Sequence, residues 1–179
     1  MQTDLKSLEI ELRKTVRGDV SFDEFTCGAY ATDASIYQIK PVAVILPHDE
    51  SDVINTVKIA AENNINILPR GGGTSLGGQA VGPSIIIDFS KYMNEIIELN
   101  VEERWVRVQP GIVLDELNAE LAKHCLHFAP DPATSSRATI GGMIGNNSSG
   151  TKSIYYGITK DHVLETRVLL SDGSLLDFN

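Results

Sequence analysis

Two glycine windows hold the residues whose type and spacing could do chemistry. Ten of the chain's 15 glycines fall in them. The first window runs Pro69, Arg70, Gly71, Gly72, Gly73, Thr74, Ser75, Leu76, Gly77, Gly78, with Gly82 shortly after. It directly follows Ile65–Leu68, which reads as a strand. Successive glycines after a strand let several N–H groups point into one concavity, a nest for an anion. They also let a diphosphate come close to the backbone. Thr74 and Ser75 add hydroxyl donors. Between Asn66 and Ile87 the one charged residue is Arg70, so the loop is not acidic although the chain is. The second window runs from Pro130, Asp131 and Pro132 through Thr139, Ile140, Gly141, Gly142, Met143, Ile144, Gly145, Asn146 and Asn147 to Gly150. Its small side chains would let a large flat ligand lie on the backbone. Asn146 and Asn147 can donate and accept hydrogen bonds, and Thr139 can cap a short helix. Two such windows about 65 residues apart favour one large ligand held by both.

Familiar phosphate signatures do not fit. The pattern GxGxxG from Gly71 and Gly73 would need glycine where Leu76 stands. A Walker A loop is nearly spelled by Gly145 to Ser153, but Lys152 comes one place late. His124 and His127 have an i, i+3 spacing with no third ligand, so no metal site is expected. Cys27 and Cys125 form no CxxC pattern and read as reduced thiols of a cytosolic protein.

The elements that must position these windows follow from periodicity. Leu5, Leu8, Leu12 and Val16 mark one face of an amphipathic helix ending near Gly18. Residues 19–40 show no clear period. Val42–Leu46 reads as a buried strand, followed by a helix capped at Asp49 or Ser51 and ending at Asn63–Asn64. With the strand Ile65–Leu68 this predicts a βαβ unit and a parallel strand pair. Ser84–Phe89 is a further strand. Ile96–Leu99 and Arg104–Val108 form a hairpin, a helix spans 112–124, and Asp172–Gly173 turns a second hairpin.

With 179 residues, the chain is one large domain or two small ones. Its net charge of −9 argues against nucleic acid as a partner. It also requires that an anionic ligand be held by local dipoles. The first ten residues have no apolar signal region. No stretch approaches the ~18–20 apolar residues of a membrane span.

Four blocks in order carry a resemblance: Pro69–Ala80, Gln109–Gly111, Pro130–Pro132, and Thr139–Asn147. The stretches Tyr155–Val163 and Arg167–Gly173 extend it, so that it covers the chain from about Tyr37 to the end. The sequence resembles the FAD-linked oxidases, the vanillyl-alcohol-oxidase or PCMH-type flavoproteins. Within that family it looks most like D-lactate and glycolate dehydrogenases. The resemblance implies an α+β fold, a PCMH-type FAD-binding domain of two lobes with the dinucleotide between them. One lobe is a small βαβ unit, and the other is a larger mixed or antiparallel sheet with helices. Residues 1–36 would be an N-terminal helix and extension, lobe one about 37–92, and lobe two about 93–179, incomplete at its C-terminus.

The resemblance also assigns residues. Pro69, Arg70, Gly71, Gly72, Gly73, Thr74, Ser75 and Gly77 would hold the pyrophosphate. Pro110, Gly111, Pro130, Asp131, Pro132, Ile140, Gly141, Gly142, Gly145, Asn146 and Asn147 would line the rest of the FAD. Gly157, His162 and Val163 would lie near it. Asp131 reads equally as a turn former or as a residue beside the flavin. Some members tether FAD through a histidine where Thr74 stands here, so a non-covalent FAD is expected. The implied function is the flavin domain of an oxidoreductase acting on a small 2-hydroxy acid such as D-lactate or glycolate. The substrate would be held mainly by an absent cap domain, which leaves no catalytic residue assigned here. Alternatives are an enzyme like UDP-N-acetylenolpyruvoylglucosamine reductase and a non-catalytic flavin-carrying electron-transfer subunit. An iron–sulfur segment or an electron-acceptor protein is the implied partner. The implied location is the cytoplasm, or the periphery of the inner membrane through a partner. The chain looks like the N-terminal piece of a longer enzyme.

Overall fold

A computed structural model describes residues 4–179. The first three residues of the expected N-terminal extension lie outside it. The chain divides into two units. The first comprises the chain up to Arg70, Ser75–Asp88 and Glu165–Asn179; the second comprises Gly71–Thr74 and Phe89–Leu164.

In the first unit, helix α1 (Leu5–Thr15) starts where the Asp4 carboxylate accepts from the Lys6 amide. Strand β1 (Asp19–Ser21) and helix α2 (Glu24–Ala29) occupy the stretch that shows no period in the sequence. Strand β2 (Ala43–Leu46), helix α3 (Glu50–Glu62), strand β3 (Ile67–Arg70) and strand β4 (Ile85–Asp88) follow. The sheet order is β1-β2-β4-β3, with β1 antiparallel to β2, and both β2 and β3 parallel to β4. The expected direct β2–β3 pair is therefore replaced by two parallel pairs, with β4 inserted between them. Each of the four β4 residues is buried, as a central strand covered on both faces requires. Leu8, Leu12 and Val16 of the N-terminal segment pack with Ala43, Ile45, Ile59, Ala60 and Ile85.

The α1 stripe thus closes a core and is not a free amphipathic face. Strands β7 (Thr166–Leu169) and β8 (Leu175–Phe178) form an antiparallel hairpin counted with the first unit. Gly173 turns that hairpin at φ +82°, a conformation that favours glycine. Arg167 on β7 pairs with Asp177 across the hairpin and with Glu50 of α3.

In the second unit, β5 (Ile96–Asn100) pairs antiparallel with β6 (Trp105–Val108). Helix α4 (Leu114–Ala122) and the short helices α5 (Ile140–Asn146) and α6 (Ser153–Tyr156) complete it, with a 3-10 turn at Thr159–His162. Leu114, Leu117 and Leu121, spaced three and four apart, bury one stripe of α4 against Ile140 and Met143 of α5. Ile96, Leu99, Val106 and Val108 of the hairpin pack on the same cluster. That leaves one side of α5 facing the core and Gly142, Gly145 and Asn146 exposed.

Candidate functional site

The part of the first window that belongs to the second unit, Gly71–Thr74, meets the second window there. A Cβ on Gly71 would overlap the Thr139 Oγ1, and one on Gly72 would overlap the Arg137 carbonyl oxygen. Thr139 is buried at the head of α5, where its Oγ1 accepts from the Gly142 amide at 3.3 Å. The root of the first loop is thus pressed onto the cap of the helix that carries the second. Pro110 and Gly111 join the same junction. The Gly141 amide donates to the Pro110 carbonyl at 2.9 Å, and a Cβ on Gly141 would come within 2.7 Å of the Pro110 Cβ. A Cβ on Gly111 would overlap the Phe89 carbonyl oxygen. These glycines are small because a neighbouring segment lies against their backbone: the main chain at Gly72 and Gly111, the Thr139 side chain at Gly71, and Pro110 at Gly141. Sequence reasoning assigned the same smallness to a ligand.

Other positions in the windows are open. Apart from its chain neighbours and the adjacent backbone of α5 itself, no described atom lies within 4 Å of a Cβ built on Gly145, and Gly142 would meet only Thr139 Oγ1, at 3.1 Å. Both are exposed, on one side of α5. The amides of Gly72, Gly73 and Thr74 donate to no acceptor among the described residues. Gly73 has φ +64°, a left-handed value of the kind that curls successive amides toward one point. Beyond Thr74 the loop folds on itself: the Ser75 hydroxyl and the Gly77 amide both reach the Gln79 Oε1. Pro69 lies in β3 opposite Ile87, and the guanidinium of Arg70 is bound to main-chain carbonyls of the first unit.

The remaining expected residues form a second cluster of contacts in the second unit. The Asp131 carboxylate accepts from the Lys152 amide at 2.9 Å and from the Thr151 hydroxyl at 3.0 Å. A Cβ on Gly150 would overlap the Asp131 carbonyl oxygen. The turn Pro130–Asp131–Pro132 is thereby stapled to the segment after α5. Asn147 ends α5 in the left-handed conformation, and its Oδ1 accepts from the Lys160 amide at 3.1 Å. Gly157, at φ +87°, leads into the 3-10 turn beside Asp161. His162 Nε2 lies 2.9 Å from the Tyr156 carbonyl oxygen. A carbonyl only accepts, so Nε2 carries the proton and Nδ1 is an acceptor in the neutral ring. Val163 is half-buried next to it. Sequence reasoning missed the Arg137 carbonyl and Gln79; nothing local in the chain marks either as the seat of a glycine.

The Lys152 amide, with the Thr151 hydroxyl, holds the Asp131 carboxyl below its ordinary value of 3.8. A depressed carboxylate stabilises the folded form above the unfolded value and loses that effect as pH falls through the folded one. The Lys152 amide shift should therefore titrate with a midpoint below 3.8. Asp131→Asn should remove the titration. A midpoint at or above 3.8 would show that the carboxylate is not bound as described.

Three open amides and a Cβ-free helix side, set on one junction, suit a diphosphate joined to a flat ring system. Comparison with known proteins agrees. Residues 41–179 match the FAD binding domain family, and the chain belongs to that family. It is 48% identical over 163 residues to a D-2-hydroxyglutarate dehydrogenase of Pseudomonas putida, covering 89% of this chain and 16% of that protein. It is 34% identical over 165 residues to a glycolate oxidase subunit of Bacillus subtilis, covering 90% of this chain and 35% of that subunit. The chain thus spans about a sixth of the D-2-hydroxyglutarate dehydrogenase and about a third of the glycolate oxidase subunit.

Among solved structures, p-cresol methylhydroxylase with bound substrate superposes with a TM-score of 0.86 at 21% identity, covering 99% of this chain and 36% of that one. An alkyldihydroxyacetonephosphate synthase gives 0.87 at 24% identity, covering 97% of this chain and 38% of that one. The fold is therefore that of the PCMH-type flavoproteins, the α+β class the sequence implies. Among the described residues, no helix is long and apolar enough to cross a membrane.

Proposed function

We propose that this chain is the FAD-holding part of a dehydrogenase that oxidises a small 2-hydroxy acid, such as D-2-hydroxyglutarate, D-lactate or glycolate. The observation that carries the reading is Gly145. A glycine inside a helix costs about 1 kcal/mol relative to alanine, and nothing in the fold occupies the space its missing Cβ leaves. A ligand that must lie on α5 accounts for it.

When bound, the flavin supplies the centre that takes up a hydride equivalent from the α-carbon of the acid. The chain's own residues bind and orient. The Gly72, Gly73 and Thr74 amides hold the diphosphate oxygens without adding charge. Gly142 and Gly145 let the flat part of the cofactor rest on α5. Asn146 and the free Nδ1 of His162 offer polar contacts to its ring or ribityl edge. Thr74, which cannot tether a flavin as a histidine can, supports a non-covalent cofactor. The acid, its base and its carboxylate-binding cations belong to protein beyond these residues, and so does an electron acceptor or iron–sulfur partner. The cytoplasm, or the inner face of a membrane reached through such a partner, suits this assignment. The relatives' names support a hydroxy acid over a UDP-sugar reductase or a purely electron-carrying subunit.

Gly145→Val tests the reading without disturbing the core. FAD affinity should fall by tenfold or more while the melting temperature stays within a few degrees of the parent's. Unchanged affinity would remove α5 from the site. A screen of the full-length parent with D-2-hydroxyglutarate, D-lactate, glycolate and NADPH then assigns the substrate; turnover with NADPH alone would refute the hydroxy-acid assignment.

A further inference from the structure

The resemblance would make Arg70 a ligand of the pyrophosphate. The geometry in the first unit points elsewhere. Its Nη1 donates to the Ala80 carbonyl at 2.9 Å and to the Tyr30 carbonyl at 3.3 Å, and its Nη2 donates to the Thr32 carbonyl at 2.9 Å. The guanidinium carbon lies 5.1 Å from the centroid of the Tyr30 ring. That ring is fixed in turn, because its hydroxyl donates to Asp88 Oδ2 at 2.6 Å. Burial, and then Asp88, push the Tyr30 phenol well up, so it remains a donor. Ala80 is held a second time, its amide donating to Asp33 Oδ2 at 3.3 Å.

Arg70 and Ala80 are the two ends of the loop that contains the glycines. Both ends are therefore joined through one planar fork, whose donors meet three acceptors in fixed directions. Closing a loop in advance removes ordering cost from ligand binding.

We propose that Arg70 is a positioning residue that sets the span of the 71–79 loop before a diphosphate arrives, and is not itself a phosphate ligand. This rests on the flavin reading above, and it changes what a substitution should do. A phosphate ligand is largely replaced by lysine, which keeps the charge. A fork across three carbonyls is not.

The test uses Arg70→Lys and the parent chain. In the ligand-free proteins, chymotrypsin cleavage after the exposed Leu76 should be at least tenfold faster in Arg70→Lys. FAD affinity should be at least tenfold weaker, although the charge is kept. Cleavage at the parent rate together with affinity within twofold of the parent would overturn the proposal. If Arg70→Lys does not fold, the parent alone decides. Its Arg70 Nη protons should give separate, slowly rotating resonances without FAD, and these should hold their positions when FAD is added. Resonances that are averaged without FAD and shift on its addition would make Arg70 a ligand and refute the clamp. Failure of the parent to bind FAD strikes the flavin reading instead, and leaves the cleavage result to judge the loop.

Discussion

Gly72→Val should weaken FAD binding about 100-fold or more. The valine Cβ would overlap the Arg137 carbonyl oxygen, a main-chain atom. That carbonyl cannot easily retreat. The Arg137 and Ala138 amides both donate to the Thr134 carbonyl at 2.8 Å, and the Ala138 carbonyl accepts from Leu114 at 2.9 Å, at the start of α4. The loop must therefore move away, carrying the Gly72, Gly73 and Thr74 amides with it. Each hydrogen bond to a charged group is worth about 1.5–3 kcal/mol. Losing two of the three gives at least ~3 kcal/mol, close to a 100-fold change in affinity. The valine also strains the junction, so a titration of FAD fluorescence should be read beside a thermal melt. Gly145→Val separates the two effects, because that position has no neighbour to strain. Parent-like FAD affinity in Gly72→Val would mean that the loop amides do not hold the diphosphate.

Asp52→Ala is expected to destabilise the first unit by about 3–5 kcal/mol. The carboxylate is buried at 1% exposure. It accepts from the amides of Arg17 and Gly18 at 2.9 Å each and from His48 at 2.8 Å. It therefore ties the end of the first helix to the start of α3 across 34 and 35 residues of sequence. Alanine would leave three main-chain donors without their acceptor, which costs more than the bonds contribute on balance. At ~2–4 °C per kcal/mol for a chain of this size, the melting temperature should drop by roughly 10 °C. A drop under 2 °C would show that the carboxylate is replaceable by water.

What could be read in advance divides along a physical line. Strand β4 and helix α1 were legible because burial is written in their own residues: Ile85, Ile86 and Ile87 in a run, and Leu8 and Leu12 on one face, although Leu5 of the same stripe is exposed. Strand β1 is three residues long and exists by pairing with β2, so no local pattern announces it. The insertion of β4 between β2 and β3 is likewise a choice among partners that no single segment records.

The site shows the same division. The windows and the Thr139 cap followed from residue type and order. That Gly71–Thr74 belongs to the same unit as the second window did not, because the implied lobes, about 37–92 and 93–179, set the two windows apart. Which glycines serve the backbone and which leave open space did not. Gly71 and Gly145 are the same residue type in similar company, and they differ only in what stands beside the missing Cβ. Arg70 was assigned to the pyrophosphate by the resemblance alone. Its acceptors Tyr30 and Thr32 lie 40 and 38 residues away and are main-chain atoms, invisible to any reading of side-chain type. Asp131 stood between two roles, and its carboxylate is bound to Thr151 and Lys152, which makes it a staple of the second unit.

The most direct measurement follows the main-chain amide resonances while FAD is titrated into the labelled chain. Gly72, Gly73 and Thr74 should shift together with Gly142 and Gly145, along one saturation curve, and ADP should reproduce the shifts of the first group. Amide shifts confined to one window, or falling mainly outside both, would contradict the joint grip on a single diphosphate-bearing flavin.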